Sequence, residues 1–525
     1  MKSKVMGISE ALALIKDRDE VAITACGGIG YPEFLAAKLE ELYVATGHPA
    51  ALTLYSGGGH GNPMMPHAHD ARFAHPGFLK RHICTHPKVV PRLREMIENN
   101  ELECYVFPQG VINQLYRCAS ARQAGVLTKI GMGTYVDPRQ DGGKINSVTT
   151  EDLVRLIEID GEEWLYYKSF PINVALIRGT YADANGNVTI DREALKLEVL
   201  ECAMAAKAAG GVVIVQVERE VANFSLNSKD VVVPGVLVDA VVVAEEPETY
   251  HRQTPSPVHN PYISGEARSP AAVTTAAMAT ELNANDIMCR RAALELFPGA
   301  IVNLGVGLGS GVGMVAAAEG FIEKLNFTLE LGVFGGTPVP APSFGVSINP
   351  ESFVSPPVMF DFYHGGNLDI AVLGAAEVDK QGNVNVSKFG GHPNGQGGFI
   401  DISSAAKTVI FCVSMRTKGF KAKVIDGKLE IKQEGSIAKF VDEVEQITFN
   451  GKYALESGQT VYYITERAVF HLTKEGVTLV EISPGMDLEK DILQQMDFMP
   501  APAKDIKIMD ERIFRPGKMG CFDQY

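Results

Sequence analysis

The segment VALIRGTYADANGNVTI (174–190) aligns without a gap with IAVLGAAEVDKQGNVNV (370–386). Asp183, Gly186 and Asn187 fall on Asp379, Gly382 and Asn383, and at the same offset VVIVQV (212–217) falls on TVIFCV (408–413). A chain that repeats itself at this spacing must build one supersecondary arrangement twice, which rules out most architectures for its 525 residues. The shared DxxGN piece is expected to be structural rather than catalytic, because Asp, Gly and Asn together make a tight turn between strands.

The local pattern says which arrangement is repeated. ISEALALIK places Ile8, Ala11, Leu12 and Ile15 on one helical stripe, EVAITA is a short β-rich run, and CGGIGYP is a turn with Pro32 suited to a helix start. EFLAAKLEELY then aligns Leu35, Leu39 and Leu42 on one face. The same grammar restarts late in the chain: NDIMCRRAALELF as a helix, AIVNLGVGLGSGVG as a strand with a glycine-rich turn, and MVAAAEGFIEKL as a helix. Helices alternating with β runs predict α/β domains with mostly parallel sheets. Between the two starts lie Pro247, Pro255, Pro257, Pro261 and Pro270 with no clear periodicity. This predicts an N-terminal α/β domain at 1–244, a linker at 245–283 and a C-terminal α/β domain at 284–525. Extra material in the first half occupies much of 50–170.

Composition removes several classes of function. A net charge of −15 disfavours nucleic acid and anionic membrane surfaces as partners, since both need a basic patch. No stretch approaches the ~18 apolar residues of a membrane span, and the charged N-terminus MKSKVMGISEALALIKDRDE is not a signal peptide. The eight cysteines (Cys26, Cys84, Cys104, Cys118, Cys202, Cys289, Cys412 and Cys521) are scattered without CxxC spacing, as expected of free thiols in a reducing compartment. A cytoplasmic, soluble protein is the expectation.

One segment concentrates chemistry. In FTLELGVFGG (327–336), alternation turns Phe327, Leu329 and Leu331 one way and Thr328 and Glu330 the other. Ligand sites in open α/β sheets lie beyond the carboxyl ends of strands, so Glu330 is delivered to the ligand edge, with Gly332, Gly335 and Gly336 expected to leave room for a substrate. A solvated glutamate at a strand end is the bland alternative. In HPNGQGGFIDIS (392–403), Gly395, Gly397 and Gly398 predict a turn before an apolar strand, whose amides could bind a carbonyl oxygen or phosphate.

The full series is GGIGYPE (27–33), PQG (108–110), GMGTYVDPR (131–139), NLGVGLGSG (303–311), ExGxxGG (330–336) and GQGGFIDIS (395–403). It continues in YITERAVF (463–470), EISPGMDL (481–488) and MDERIF (509–514). In this order the motifs resemble family I CoA-transferases, in particular bacterial propionate and acetate CoA-transferases, from about residue 7 to about residue 513. The resemblance implies two similar open α/β domains with the active site at their interface, and Glu330 as the nucleophile that carries CoA as a thioester. It implies that Gly28 and Gly30 face the acyl site, that Gln109 lies near the carboxylate, and that Gly395, Gly397 and Gly398 contact thioester and CoA. Acyl-CoA and short carboxylic acids are then the partners, coenzyme A is a substrate rather than a cofactor, no other cofactor or metal is needed, and a homo-oligomer (dimer or tetramer) is expected. Leu331 departs from the small residue usual at this position, which bears on the shape of the acyl pocket.

Four other readings are weaker. His60, His67, His69, His75, His82 and His86 crowd one region, but no HExxH or Cys/His spacing occurs, so loop or pocket-lining histidines are expected over metal ligands. The alternating glycines of NLGVGLGSGVG fit neither GxGxxG nor a P-loop, against a nucleotide-dependent dehydrogenase. An effector-binding regulator would need a basic DNA-binding module, and none is evident. An acyl-CoA hydrolase using the same Glu330 with water as acceptor is the nearest chemical alternative.

Overall fold

The structure, a computed structural model, describes residues 3–269, 281–305, 307–340 and 342–523. Its described residues pack as two units. The first is drawn from Met1–Ser269, Glu330–Asp361 and Gly391–Asp401, the second from Pro270–Leu329, Phe362–Gly390 and Ile402–Tyr525. The chain thus leaves and re-enters each unit rather than dividing once at a linker, and 270–280 of the linker read from the sequence lies outside the described residues. No helix among the described residues is long and apolar enough to cross a membrane.

The first unit is built on parallel strands in the order Ala240–Val243, Val212–Val221, Val174–Asp183, Glu20–Ile23, Leu52–Ser56, Leu79–Cys84 and Glu103–Val106. Val174, Ala175, Leu176 and Ile177 are all fully buried, as a parallel strand covered on both faces requires. The extra material of the first half contributes the outer strands Leu52–Ser56, Leu79–Cys84 and Glu103–Val106 and an antiparallel trio of Gly125–Thr128, Glu162–Lys168 and Val154–Ile159.

The second unit repeats the arrangement. Parallel strands run in the order Asn326–Leu329, Ile301–Leu304, Ile370–Gly374, Thr408–Cys412 and Thr460–Ile464. Register matches residue for residue: Val174 pairs with Val212 in the first unit, and Ile370 with Thr408 in the second. The helix Leu308–Ala318 starts earlier than the sequence suggested and takes in Gly309, Gly311 and Gly313. Those glycines allow close approach: a Cβ on Gly309 would lie 2.7 Å from the Val372 carbonyl, and one on Gly313 2.8 Å from a Leu304 methyl.

The DxxGN turns are the same object twice. Asp183 Oδ1 accepts from the N–H groups of Asn185 and Asn187 (3.0 Å each) and Oδ2 from the Asn187 side chain (2.9 Å). Asp379 Oδ1 accepts from the Gln381 and Asn383 N–H groups (2.9 and 3.0 Å) and Oδ2 from the Asn383 side chain (2.9 Å). Each Asn then accepts from a distant glycine, Gly235 (2.9 Å) or Gly451 (3.0 Å). The turns therefore serve structure, as read. Asp183→Ala strands three partly buried donors and is expected to cost about 1–3 kcal/mol, measured as a lowered urea midpoint.

One sequence expectation is corrected. FIDIS after the glycines is not a strand: Phe399–Ala405 is a helix. Phe399, Ile400, Asp401, Ile402 and Ser403 are all buried, so the run is covered on every side, and a short run of that kind carries no period that separates helix from strand.

Candidate active site

Glu330 is the first residue beyond the strand Asn326–Leu329 and is half-buried. Phe327, Leu329 and Leu331 are buried, as the alternation predicted. Thr328 is also buried, on the opposite face, where Tyr363 Oη donates to its Oγ1 at 2.8 Å. Leu331 packs towards Gly345, where an added Cβ would lie 2.5 Å from its Cδ1. Its side chain is thus committed to that loop.

The three glycines after Glu330 do not leave room for a substrate, contrary to the sequence reading. Gly332 has φ +94°, and a Cβ there would sit 2.0 Å from the Val354 carbonyl; at Gly336 it would sit 2.5 Å from the Ile348 carbonyl, and at Gly335 2.6 Å from the Glu351 side chain. The turn is pressed onto segment 348–354, with the Val354 N–H donating to the Gly332 carbonyl at 2.8 Å. Close backbone packing, not ligand space, is what these glycines provide.

Gly28 and Gly30 lie in a tight turn closed by reciprocal Cys26–Ile29 backbone bonds (3.1 and 2.8 Å). Both have positive φ, and a Cβ would lie 2.5 Å from His69 Nε2 at Gly28 and 2.3 Å from Leu197 Cδ1 at Gly30. The Glu330 carboxylate is felt at this turn: burial first, then Glu330, push the Cys26 thiol up to about 12. Cys26 is therefore no thiolate nucleophile near neutrality. Iodoacetamide at pH 7.5 is expected to label it at under about 1% of the rate of a free thiol, read by peptide mass spectrometry.

Gln109 opens the helix Gln109–Ser120, and its N–H donates to the Gly397 carbonyl at 3.1 Å. Its Oε1 is 3.8 Å from where a Gly397 Cβ would lie. The Gly397 N–H is engaged with the Thr85 carbonyl (3.1 Å), Gly395 packs on Thr85 and His86, and Gly398 is buried in the turn before the helix Phe399–Ala405. His86 joins the two groups: its Nδ1 is 4.0 Å from the Gly397 Cβ position and its Cβ 3.5 Å from that of Gly59, whose carbonyl accepts from the Gly27 N–H (2.7 Å). Burial, then the Lys88 charge, lower His86 to about 4, so it is neutral. The predicted residues Gly28, Gly30, Gln109, Glu330, Gly395, Gly397 and Gly398 thus all belong to one packed unit.

The six histidines divide: His67 is exposed, His75 and His86 are partly buried, and the other three lie in the interior. His60, His69 and His82 are buried. Asp70 is the focus: Tyr31 Oη and Ser56 Oγ donate to it (3.0 and 2.6 Å), and His60 Nδ1 and His82 Nε2 stand 3.5 Å away. Burial works against a charge on Asp70, but His60 and His82 outweigh it and hold the carboxyl far below its ordinary range. Burial also opposes a charge on His82, yet Cys84 and Asp70 push it up to about 10. The cluster is a buried ion pair that braces the loop after Ser56. Among the described residues no three His, Cys, Asp or Glu side chains group as a metal site would require.

Sequence reasoning missed Tyr116 and Glu198, and had Cys26 only as a free thiol and His86 only as a loop or pocket-lining histidine. Glu198, fully buried, sits just before the helix Val199–Ala208 and shares with Glu330 an influence on Cys26. Nothing in LKLEVLE distinguishes it from a helix-surface glutamate.

Comparison with known proteins agrees with the motif order. The family model described as Coenzyme A transferase matches residues 5–244. A caffeate CoA-transferase from Acetobacterium woodii is 44% identical over 98% of this chain and 97% of its own. The acetate CoA-transferase YdiF of Escherichia coli K12 is 42% identical over 98% and 96%. The crystal structure of acyl-CoA transferase YdiF from E. coli O157:H7, a thioester complex with CoA, superposes with a TM-score of 0.91 at 40% identity, covering 99% of this chain and 97% of that one. With likeness running end to end through sequence and fold alike, the chain belongs to the coenzyme A transferases and is a CoA-transferase.

Proposed function

We propose that the enzyme transfers CoA from a short-chain acyl-CoA to a free carboxylate such as acetate or propionate, through a covalent glutamyl-CoA thioester on Glu330. The observation that carries this reading is the half-buried carboxylate of Glu330 just beyond a strand end, where its charge helps to raise the Cys26 thiol. Support also comes from the thioester complex formed by YdiF.

An oxygen of Glu330 attacks the thioester carbonyl and CoA leaves as thiolate, giving an acyl-glutamyl anhydride. The thiolate attacks the Glu330 carbonyl, the donor acid leaves as carboxylate, and Glu330 is left bound to CoA. The acceptor acid runs the same steps in reverse, which makes the kinetics ping-pong. The thioester is conserved through the cycle, so the route needs no metal, redox cofactor or nucleotide. Water has to be kept from the anhydride.

The neighbouring reading, an acyl-CoA hydrolase, differs only in the acceptor. Propionyl-CoA with excess acetate is expected to give acetyl-CoA with parallel lines in double-reciprocal plots. Free CoA as the sole product, independent of acetate, would sink the transferase assignment to short acids.

A further inference from the structure

The helix Gln109–Ser120 carries Gln109, Asn113 and Tyr116 at spacings of four and three, one line along one face. Asn113 Nδ2 donates to the Gly57 carbonyl at 3.2 Å, so this line runs alongside Gly57, one residue beyond the strand Leu52–Ser56. A Cβ built on Gly57 would lie 2.8 Å from Tyr116 Cε2, 3.1 Å from Tyr116 Oη and 3.3 Å from Glu198 Oε1, so the ring packs on the Gly57 backbone with its hydroxyl beside the Glu198 carboxyl. Two side chains from different elements therefore bring polar oxygens to one point. Tyr116 is 0% exposed, Asn113 1% and Glu198 2%. Tyr116 Oη, Asn113 Oδ1 and Glu198 Oε1 nevertheless have no hydrogen-bond partner among the described residues. Burying such groups unpaired is costly, and a polar ligand would remove that cost.

The place is tied to Glu330. Gly58, next to Gly57, lies against Cys26, and Glu198 and Glu330 both act on the Cys26 thiol. Ser355 Oγ donates to Glu201, one helical turn from Glu198, at 2.7 Å, and the neighbouring Val354 is bonded to Gly332 in the Glu330 turn.

We propose that Tyr116 and Glu198 form the polar wall that receives the carboxyl group of the acid substrate, each as an O–H donor to its oxygens. The inference rests on Glu330 being the CoA-carrying nucleophile, and adds the group that binds the acid. Glu198 can donate because burial, then the charge of Glu201, push it up to about 8, so it holds its proton at neutral pH. The other titratable groups facing it are Cys26 on the glycine turn, Tyr116, and Cys202 on its own helix. All three are raised above their ordinary values and stay neutral near pH 8. The charge that changes around pH 8 is therefore that of Glu198. Once ionised it repels the incoming carboxylate and has no proton to offer.

The test is the KM for acetate, with propionyl-CoA as donor, from pH 6 to pH 9.5 in the wild-type enzyme, E198Q, E198A and Y116F. The wild-type KM should be flat at low pH and rise roughly tenfold per unit above about pH 8. E198Q, still neutral and still a donor, should keep the neutral-pH KM within about threefold and lose the rise. E198A and Y116F should raise KM about tenfold at pH 7 with a smaller change in kcat. Wild-type KM in E198A and Y116F, or an unchanged alkaline rise in E198Q, would overturn the proposal. CoA adduct formation on the Glu330 peptide is recorded in parallel. Adduct present with KM unmoved defeats the wall, whereas no adduct in the wild-type protein defeats the Glu330 reading beneath it.

Discussion

Glu330→Ala is expected to lower turnover by at least about 10³-fold and to abolish the CoA-sized adduct that wild-type protein forms with propionyl-CoA. The size follows from the chemistry: without the carboxylate there is no anhydride and no covalent holder for CoA. Glu330→Asp should fall between, because retracting the oxygens by about one bond length misplaces a nucleophile whose worth depends on alignment. Intact-protein and peptide mass spectrometry after mixing with propionyl-CoA reads the adduct directly. An adduct that persists in the alanine variant would move the nucleophile elsewhere and overturn the assignment. Cys26 is the thiol on which the Glu330 charge acts, and its raised pKa argues against it.

Asp70→Asn is expected to destabilise the fold by about 3–5 kcal/mol, since it leaves His82 charged and buried without its counterion. The pH dependence separates this from a simple loss of hydrogen bonds. Asp70 is depressed in the folded state, so its contribution is complete above the ordinary carboxylate pKa and is lost as pH falls below it. His82 is raised to about 10, so its contribution is complete below its unfolded value near 6.5 and is lost as pH climbs through about 10. The gap between wild type and Asp70→Asn in urea unfolding should therefore be widest around pH 6 and shrink towards pH 10. A gap that stays constant across that range would mean that the pair is not charged.

Much of the fold could be read from the chain because its signals were periodic or repeated. Asp183 and Asp379 stand at matching places, and the strands they follow pair in matching register. What failed was local. FIDIS contains too few residues to show a period, and the chain's return into the first unit at 330–361 and 391–401 has no compositional mark. At the site, Glu330, Gln109 and the glycines were legible as motifs. The purpose of Gly332 and Gly336 was not, since the carbonyls that exclude a Cβ there come from residues further along the chain. Glu198 and Tyr116 were invisible for a similar reason: the burial that makes them unusual arises only when distant elements meet around Gly57.

The duplicated turn gives the molecule an internal calibration. Asp183 and Asp379 share three donors at nearly equal lengths, to which Asp379 adds the Val444 N–H from outside the turn, so one alanine substitution made at either position removes the same bonds within the turn. Any inequality between the two measured losses then reports on the surroundings rather than on the turn. Equal losses would mean that both units melt in one cooperative event; unequal losses, with two resolved transitions, would assign a separate melting temperature to each copy.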